Sequence, residues 1–223
     1  MQRCRCLKFI PFAIPSIVLL TSYSFWKDVP GVSGLYEVTE TCDVTGSAGA
    51  ALRALFVHAN TMHWGGNVAA TLMIGVPLET LHGSWRVACI YFGAGIVGVL
   101  CFAASSEVGT RYVGSSPAVY ALIASFASHL MLNWSETRLR LYWLFVLIAY
   151  TSYDTFNAFE AMADPQNRVA HVSHLGGAIA GLFIALTLLR NEALIQWEVS
   201  LVLLGMVAYL TLLTTVLFES TCR

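Results

Sequence analysis

Residues 111–134 read RYVGSSPAVYALIASFASHLMLNW, an apolar run long enough to cross a lipid bilayer that opens with a glycine, two serines and a proline. The whole chain has the same character: of its 223 residues, 57% are hydrophobic and 11% are charged, and the mean hydropathy is +0.68. This composition leaves too few polar side chains to cover a soluble domain. The sequence therefore predicts an all-α, polytopic membrane protein.

Apolar windows of about the length that spans the hydrocarbon core recur along the chain. They lie at 8–26, 61–81, 86–104, 116–134, 139–158, 170–189 and 197–218. Connections with charged and turn-forming residues separate them, and the longest of these covers 27–49. Because internal repeats and low-complexity segments are lacking, we expect a single membrane domain over 1–223 with seven helices.

The basic residues orient the predicted helices. If the N-terminus is cytoplasmic, seven of them lie on the inner side: Arg3, Arg5, Lys8, Arg86, Arg138, Arg140 and Arg190. Five lie on the outer side: Lys27, Arg53, Arg111, Arg168 and Arg223. This excess predicts a cytoplasmic N-terminus. The net charge of −1 gives no indication of a nucleic-acid partner.

The six cysteines have neither the paired spacing of a zinc site nor the density of a disulfide scaffold. Cys4 and Cys6 precede the first apolar window on its basic side. Reversible palmitoylation and unpaired cytosolic thiols are both open interpretations of this pair.

Polar groups within predicted membrane helices are costly, so each marks a candidate site. Ser116 opens one helix, where unpaired backbone N–H groups and the positive end of the helix dipole favour an oxyanion. Gly114 permits an unusual turn before it, and Pro117 suits the first helical turn because its missing N–H is tolerated there. Tyr120 lies one turn deeper on the same face and can support a stacked ring.

A histidine in the window 170–189 is the candidate base. The spacing of Gly177 and Gly181 lets this helix approach a neighbour closely, and that contact would bring His174 within reach of Ser116. A serine beside a base is an activated nucleophile even without a carboxylate third member.

Two donors lie on a third helix. His63 and Asn67 are four residues apart in the window 61–81, so they share a face and can point at one spot. A tetrahedral intermediate needs such donors.

Each feature alone is more typical of structure than of catalysis, because membrane serines often bond their own helix and glycines often serve packing. A metal site would draw on His58, His63, His171 and His174, but no H-E-x-x-H arrangement and no outer carboxylate completes a catalytic zinc set, so we predict no metal. The convergence of polar groups on three helices at similar depth favours a catalytic site.

These residues resemble the rhomboid family of intramembrane serine proteases, over nearly the whole chain. HANTMHWGGN at 58–67 is similar to the family's H-x-x-x-x-H-x-x-x-N, GSSPAVYAL at 114–122 to its serine-bearing helix start, and HLGGAIAGL at 174–182 to its H-x-x-G-x-x-x-G. VPLETLHGSWR at 76–86 resembles an animal secretory-pathway subclass. That subclass implies a six-helix core, here about 8–190, and an additional C-terminal helix, here about 197–218.

The resemblance implies a role for each site residue and no cofactor. Ser116 would be the nucleophile and His174 the general base, then the acid. His63, Asn67 and the backbone N–H of Ser116 would form the oxyanion hole. The implied supporting residues are Tyr120 under the His174 ring, His58 as a hydrogen-bonding partner, Gly114 in the turn, Gly177 and Gly181 in the helix contact, and Asp154 at a structural acidic position.

The chain departs from the family pattern at two points. Pro117 stands where a glycine normally follows the nucleophile, and Leu52-Arg53 replaces a Trp-Arg pair in the first outer loop. We expect the Pro117 ring to crowd the cleft beside Ser116.

The resemblance implies a serine endopeptidase that cleaves single-pass transmembrane substrates near the outer membrane boundary. It would be an integral, multi-pass protein of the secretory pathway, in the endoplasmic reticulum, Golgi or plasma membrane. The alternative is an inactive relative that binds membrane clients and regulates their trafficking. A seven-helix transporter or receptor is a third hypothesis, but it leaves the serine, histidine and asparagine group unexplained.

Overall fold

The structure is a computed structural model that describes residues 9–27, 36–38, 44–163, 170–191 and 196–221. Its helices are α1 (Ala13–Lys27), α2 (Val44–Ala54), α3 (Thr61–Ala70), α4 (Val76–His82), α5 (Ser84–Ser105), α6 (Ser116–Leu132), α7 (Arg140–Ala163), α8 (His171–Leu188) and α9 (Gln196–Thr221). A π-helical turn, Thr71–Gly75, joins α3 to α4 in one continuous helix.

Every predicted window coincides with a helix, the window 61–81 with the continuous α3–α4 helix. Within the described residues, α5, α8 and Trp197–Ser220 of α9 are long and apolar enough to cross a membrane, and α6 is a shorter apolar helix. The predicted all-α polytopic membrane protein is therefore confirmed.

The connection predicted over 27–49 contains regular structure that its polarity did not indicate. Helix α2 begins within it and buries Ala51 and Ala54 against α5. A two-residue strand, β1 (Tyr36–Glu37), pairs antiparallel with β2 (Arg111–Tyr112), just before the serine-bearing helix. Small side chains explain the helix, because alanine favours helix formation and permits close packing.

Helices α5, α6 and α8 form the centre of the bundle, and glycines bring their backbones into contact. A Cβ added to Gly177 would overlap the Pro117 backbone of α6, and one added to Gly181 would overlap the backbone of Ala121. A Cβ on Gly98 of α5 would lie 2.6 Å from the Ser173 carbonyl oxygen. Small residues allow such close approach between membrane helices. These backbone contacts thus fix the relative position of α6 and α8.

A carboxylate buried within the protein holds the start of α1. Glu79 of α4 is fully buried and accepts hydrogen bonds from the backbone N–H groups of Phe12, Ala13 and Ile14 at 2.5–2.8 Å. The Ser84 hydroxyl donates a further bond to it at 2.5 Å. These contacts satisfy N–H groups that have no partner within α1, and they place a negative charge at the positive end of that helix.

At the end of the bundle opposite Ser116, a directional chain of hydrogen bonds links four segments. The Arg190 N–H donates to His82 Nδ1 at 3.0 Å, so the His82 proton is on Nε2, which faces His129 Nδ1 at 3.0 Å. His129 Nε2 then faces the Thr137 hydroxyl at 3.1 Å, and that hydroxyl donates to the Asn133 carbonyl at 2.6 Å. The chain ties α4, α6 and the residues that follow α6 and α8.

Helix α7 lies at the periphery and makes its main contacts with α6. Rings connect the two helices: Trp143 lies 4.5 Å from Phe126, and Tyr150 lies 5.7 Å from Tyr120, between centroids. Its other face is largely exposed and apolar: Leu141, Phe145, Ile148, Phe156 and Phe159 are all more than half exposed. Such a face is suited to contact with lipid.

Candidate active site

Ser116 is the first residue of α6, and the turn that precedes it is held by glycine geometry. Gly114 has φ +127°, a conformation that residues with a side chain rarely adopt. A Cβ there would lie 2.6 Å from Cε1 of His63, so the glycine also lets the imidazole approach the turn. The Gly114 N–H donates to the Ala54 carbonyl at 3.1 Å, which anchors the turn to α2.

The serine and the candidate base are in direct contact. His174 Nε2 lies 2.9 Å from Ser116 Oγ. The Tyr120 ring stacks on the imidazole, with 4.2 Å between centroids and 13° between planes. His174 lies in the first turn of α8, three residues before the glycine that contacts the Pro117 backbone. The pair therefore depends on the backbone contact between α6 and α8.

A cavity of about 1340 Å³ surrounds this pair and also reaches α3, β2 and α7. His63 and Asn67 line it together with Ser116. The Asn67 side-chain nitrogen is buried and makes no hydrogen bond with the residues that the structure describes. A buried donor without a protein partner is costly, and an oxyanion in the cavity would satisfy it.

Tyr112 of β2 is a site residue that the sequence reasoning missed. Its hydroxyl lies 3.3 Å from Ser116 Oγ and accepts a hydrogen bond from the Ser173 hydroxyl at 3.3 Å. Burial raises the pKa of Tyr112 to about 12, so at neutral pH the phenol keeps its proton and can donate it towards Ser116. A tyrosine four residues before the serine was the available signal, but only the β1–β2 pairing explains its position.

We expect Tyr112→Phe to lower the cleavage rate by about twofold to thirteenfold, because one neutral hydrogen bond contributes roughly 0.5–1.5 kcal/mol. Tyr142→Phe is the matched control, since Tyr142 lies on α7 and is 56% exposed. Initial rates on one reporter substrate measure both variants. An unchanged rate in a folded Tyr112→Phe protein would remove Tyr112 from the site.

The neighbouring serine has a different partner. Ser115 is buried, and its hydroxyl lies 3.1 Å from His58 Nε2, while the His58 and His63 rings meet edge to face at 5.2 Å. Burial, and then the nearby His63, lower the pKa of His58 to about 4. His58 is therefore neutral at physiological pH and contacts Ser115 rather than Ser116.

The lowered pKa of His58 predicts a loss of stability in acid. In the unfolded chain histidine binds a proton near pH 6.5, but folded His58 does so only near pH 4, so the unfolding free energy falls as the pH drops between these values. Near pH 5 the loss is about 2 kcal/mol. His58→Gln cannot titrate, so it should show a smaller difference between about pH 7.5 and about pH 5 in detergent unfolding titrations. An equal difference in both proteins would contradict the assignment.

The expected crowding by Pro117 is not observed. Its ring is buried and packs towards Gly98 of α5, where a Cβ on the glycine would lie 2.5 Å from Pro117 Cβ. Pro117 is also absent from the lining of the cavity, whose residues the structure describes. The expectation was wrong because the first turn of α6 directs this position towards the helix interface and not towards the cleft.

Among the described residues, no group of three or more histidine, cysteine, aspartate or glutamate side chains could hold a metal ion. His171 and His174 meet edge to face at 5.8 Å between centroids. Cys4, Cys6 and the Asp154 side chain lie outside the part of the chain that the structure describes.

Comparison with known proteins gives one family. The Rhomboid domain matches residues 47–191. Rhomboid-related protein 1 of Caenorhabditis elegans is 35% identical over 139 residues, which are 61% of this chain and 39% of the relative. Rhomboid-related protein 3 of Homo sapiens is 32% identical over 147 residues, 63% of this chain and 36% of the relative. Inactive rhomboid-related protein 2 of Caenorhabditis elegans is 31% identical over 147 residues, which are 62% of this chain and 41% of the relative.

The matched region thus spans less than half of these relatives. The domain match over 47–191 contains α3 to α8 in full, together with Ser116, His174, His63 and Asn67. The family includes serine proteases, and one of the relatives is named as inactive. On the extent of the domain match, this chain belongs to the rhomboid family.

Proposed function

We propose that the protein is an intramembrane serine endopeptidase that cleaves single-pass membrane proteins. The observation that carries this proposal is the 2.9 Å contact between Ser116 Oγ and His174 Nε2 beside a cavity. A serine and a base at this distance form an activated nucleophile. The Tyr120 ring restrains the imidazole in the orientation that directs Nε2 at the hydroxyl.

The geometry supports a two-step hydrolysis. His174 Nε2 accepts the Ser116 proton while Oγ attacks the substrate carbonyl, and Asn67, His63 and the Ser116 N–H donate to the resulting oxyanion. His174 then gives its proton to the leaving amine, which departs and leaves an acyl-enzyme. Water, deprotonated by His174, attacks the ester and releases the carboxyl product and free Ser116.

The position of the cavity supports the proposed substrate class. It is lined by residues of α3, α6 and α7, including Ala70 and Tyr150, so it reaches helices with exposed apolar faces. A helical substrate hides its scissile carbonyl in a hydrogen bond, so the chain near the cut must unwind. We expect helix-weakening and small residues there. A cytoplasmic N-terminus, an outer-facing site and a secretory-pathway membrane complete the proposal.

An inactive relative that binds and regulates membrane clients is the second candidate. The match to a relative named as inactive favours it. The retained contact between Ser116 and His174 opposes it, because a binding role requires neither residue.

A fluorophosphonate serine probe on the purified protein tests the proposal. We expect one adduct, located on Ser116 by peptide mapping, and no adduct in His174→Ala. Cleavage of a single-pass reporter in liposomes should be lost in the same variant. If the native protein takes no probe and cleaves no reporter, the inactive relative becomes the better account.

Asn67→Ala should lower reporter cleavage by on the order of a hundredfold, the usual cost of one lost oxyanion donor. The reason is that Asn67 lines the cavity and its buried side-chain nitrogen has no partner among the described residues. Initial rates at saturating reporter and an unchanged unfolding midpoint would support the role. A loss of stability that accounts for the whole decrease would instead make Asn67 a structural residue.

A further inference from the structure

A second cavity, of about 590 Å³, lies between α6, α7 and α8. Tyr120, Tyr150 and His174 line both cavities and form the wall between them, whereas Ser116 lines only the first. We call this second cavity the α6–α8 groove. We propose that it binds one acyl chain of a glycerophospholipid from the membrane leaflet nearest Ser116. This inference is independent of catalysis.

The length of the groove matches one leaflet. Its lining on α8 runs from His171, the first residue of the helix, to Leu182, eleven positions later. At 1.5 Å per residue, this is about 16 Å along the helix. Half of a hydrocarbon core of about 30 Å is about 15 Å. An acyl chain that lies along the groove from the Ser116 end would therefore reach the midplane of the bilayer.

The chemistry of the lining changes along this length in the way that a lipid requires. Towards the midplane the walls are apolar, with Ala127, Leu147 and Leu182 contributed by the three helices. At the other end lies His171, whose two buried ring nitrogens make no hydrogen bond with the described residues. The ring nitrogen that carries the proton can donate a hydrogen bond to an ester or phosphate oxygen where the head of a lipid would be.

Water fits the groove less well than an acyl chain does. Water needs several polar partners, but the walls of the groove near the midplane are apolar. The Thr151 hydroxyl, which also lines the groove, already uses its proton in a hydrogen bond to the Leu147 carbonyl at 2.7 Å.

The test uses the full chain in nanodiscs that contain phosphatidylcholine with a photoactivatable diazirine in mid-chain. After irradiation, peptide mapping locates the adducts. We expect adducts on the groove-lining positions of α6 and α8 at least fivefold above those on the exposed face of α9. Unlabelled phosphatidylcholine should compete with them.

Substitutions at two alanines distinguish lipid bound in the groove from general lipid contact. Ala178 lines the groove and is half-buried, so Ala178→Phe fills the groove and should lower its adducts at least fivefold. Ala149 of α7 is exposed and outside the groove, so Ala149→Phe should leave them unchanged. If Ala178→Phe does not fold, Ala127→Leu, which fills less of the groove, replaces it in the test.

Four results would overturn the proposal. Adducts spread equally over α9 and the groove, or unchanged in a folded filling variant, would mean that only annular lipid is present. Labelling by a diazirine fatty acid but not by the phospholipid would assign the groove to a free fatty acid. Displacement of the lipid adducts by a single-pass reporter peptide would assign it to substrate.

Discussion

Ser116→Ala is expected to lower reporter cleavage by on the order of 10⁴-fold or more, the scale of losing a nucleophile. Ser115→Ala should stay within about tenfold of the native rate. Both serines precede Pro117, but only Ser116 Oγ lies 2.9 Å from His174, whereas Ser115 faces His58 at 3.1 Å. Initial cleavage rates in liposomes, with equal amounts of folded protein, measure the difference.

Ser115→Ala also removes the partner of a buried histidine, so its expected defect is in stability, about 1–3 kcal/mol, more than in rate. Unfolding titrations of both variants separate the two effects. If Ser115→Ala abolished cleavage in folded protein while Ser116→Ala did not, the assignment of the nucleophile would be wrong.

Gly177→Ala should reduce cleavage by about a hundredfold and also destabilise the protein by about 1–3 kcal/mol. The added methyl overlaps the Pro117 backbone, so α6 and α8 must separate. A displacement of about 1 Å between the reacting groups is enough for such a loss in rate. Reporter cleavage and unfolding titrations measure the two effects.

Gly65→Ala is the matched control, because it makes the same change inside a helix where a Cβ meets nothing within 4 Å. There the lower conformational freedom of alanine should stabilise the protein by up to about 1 kcal/mol and leave cleavage unchanged. Native activity in Gly177→Ala would show that α6 and α8 can move apart without disturbing the pair of Ser116 and His174.

The sequence predicted what depends on local pattern. The helices followed from the apolar windows, and the candidate pair followed from a serine at one helix start and a histidine beside helix-contact glycines on another. It did not predict the position of Tyr112 or the acceptor role of Glu79, because both depend on partners far away in the chain. The predicted direction of the Pro117 ring was wrong for the same reason. Gly98 lies on α5, and only the packed bundle brings it next to Pro117.

The cap that Glu79 provides for α1 has a consequence for how the protein is made. The N–H groups at the start of α1 find their acceptor 65 to 67 residues later in the chain. At about 5–20 residues per second, α4 follows α1 from the ribosome roughly 3–13 s later. During this interval the start of α1 must stay in contact with water or with the insertion machinery, because its donors cannot be left unsatisfied in lipid. Helix α1 therefore takes its final place only after α4 has entered the membrane, and the order of assembly differs from the order of synthesis.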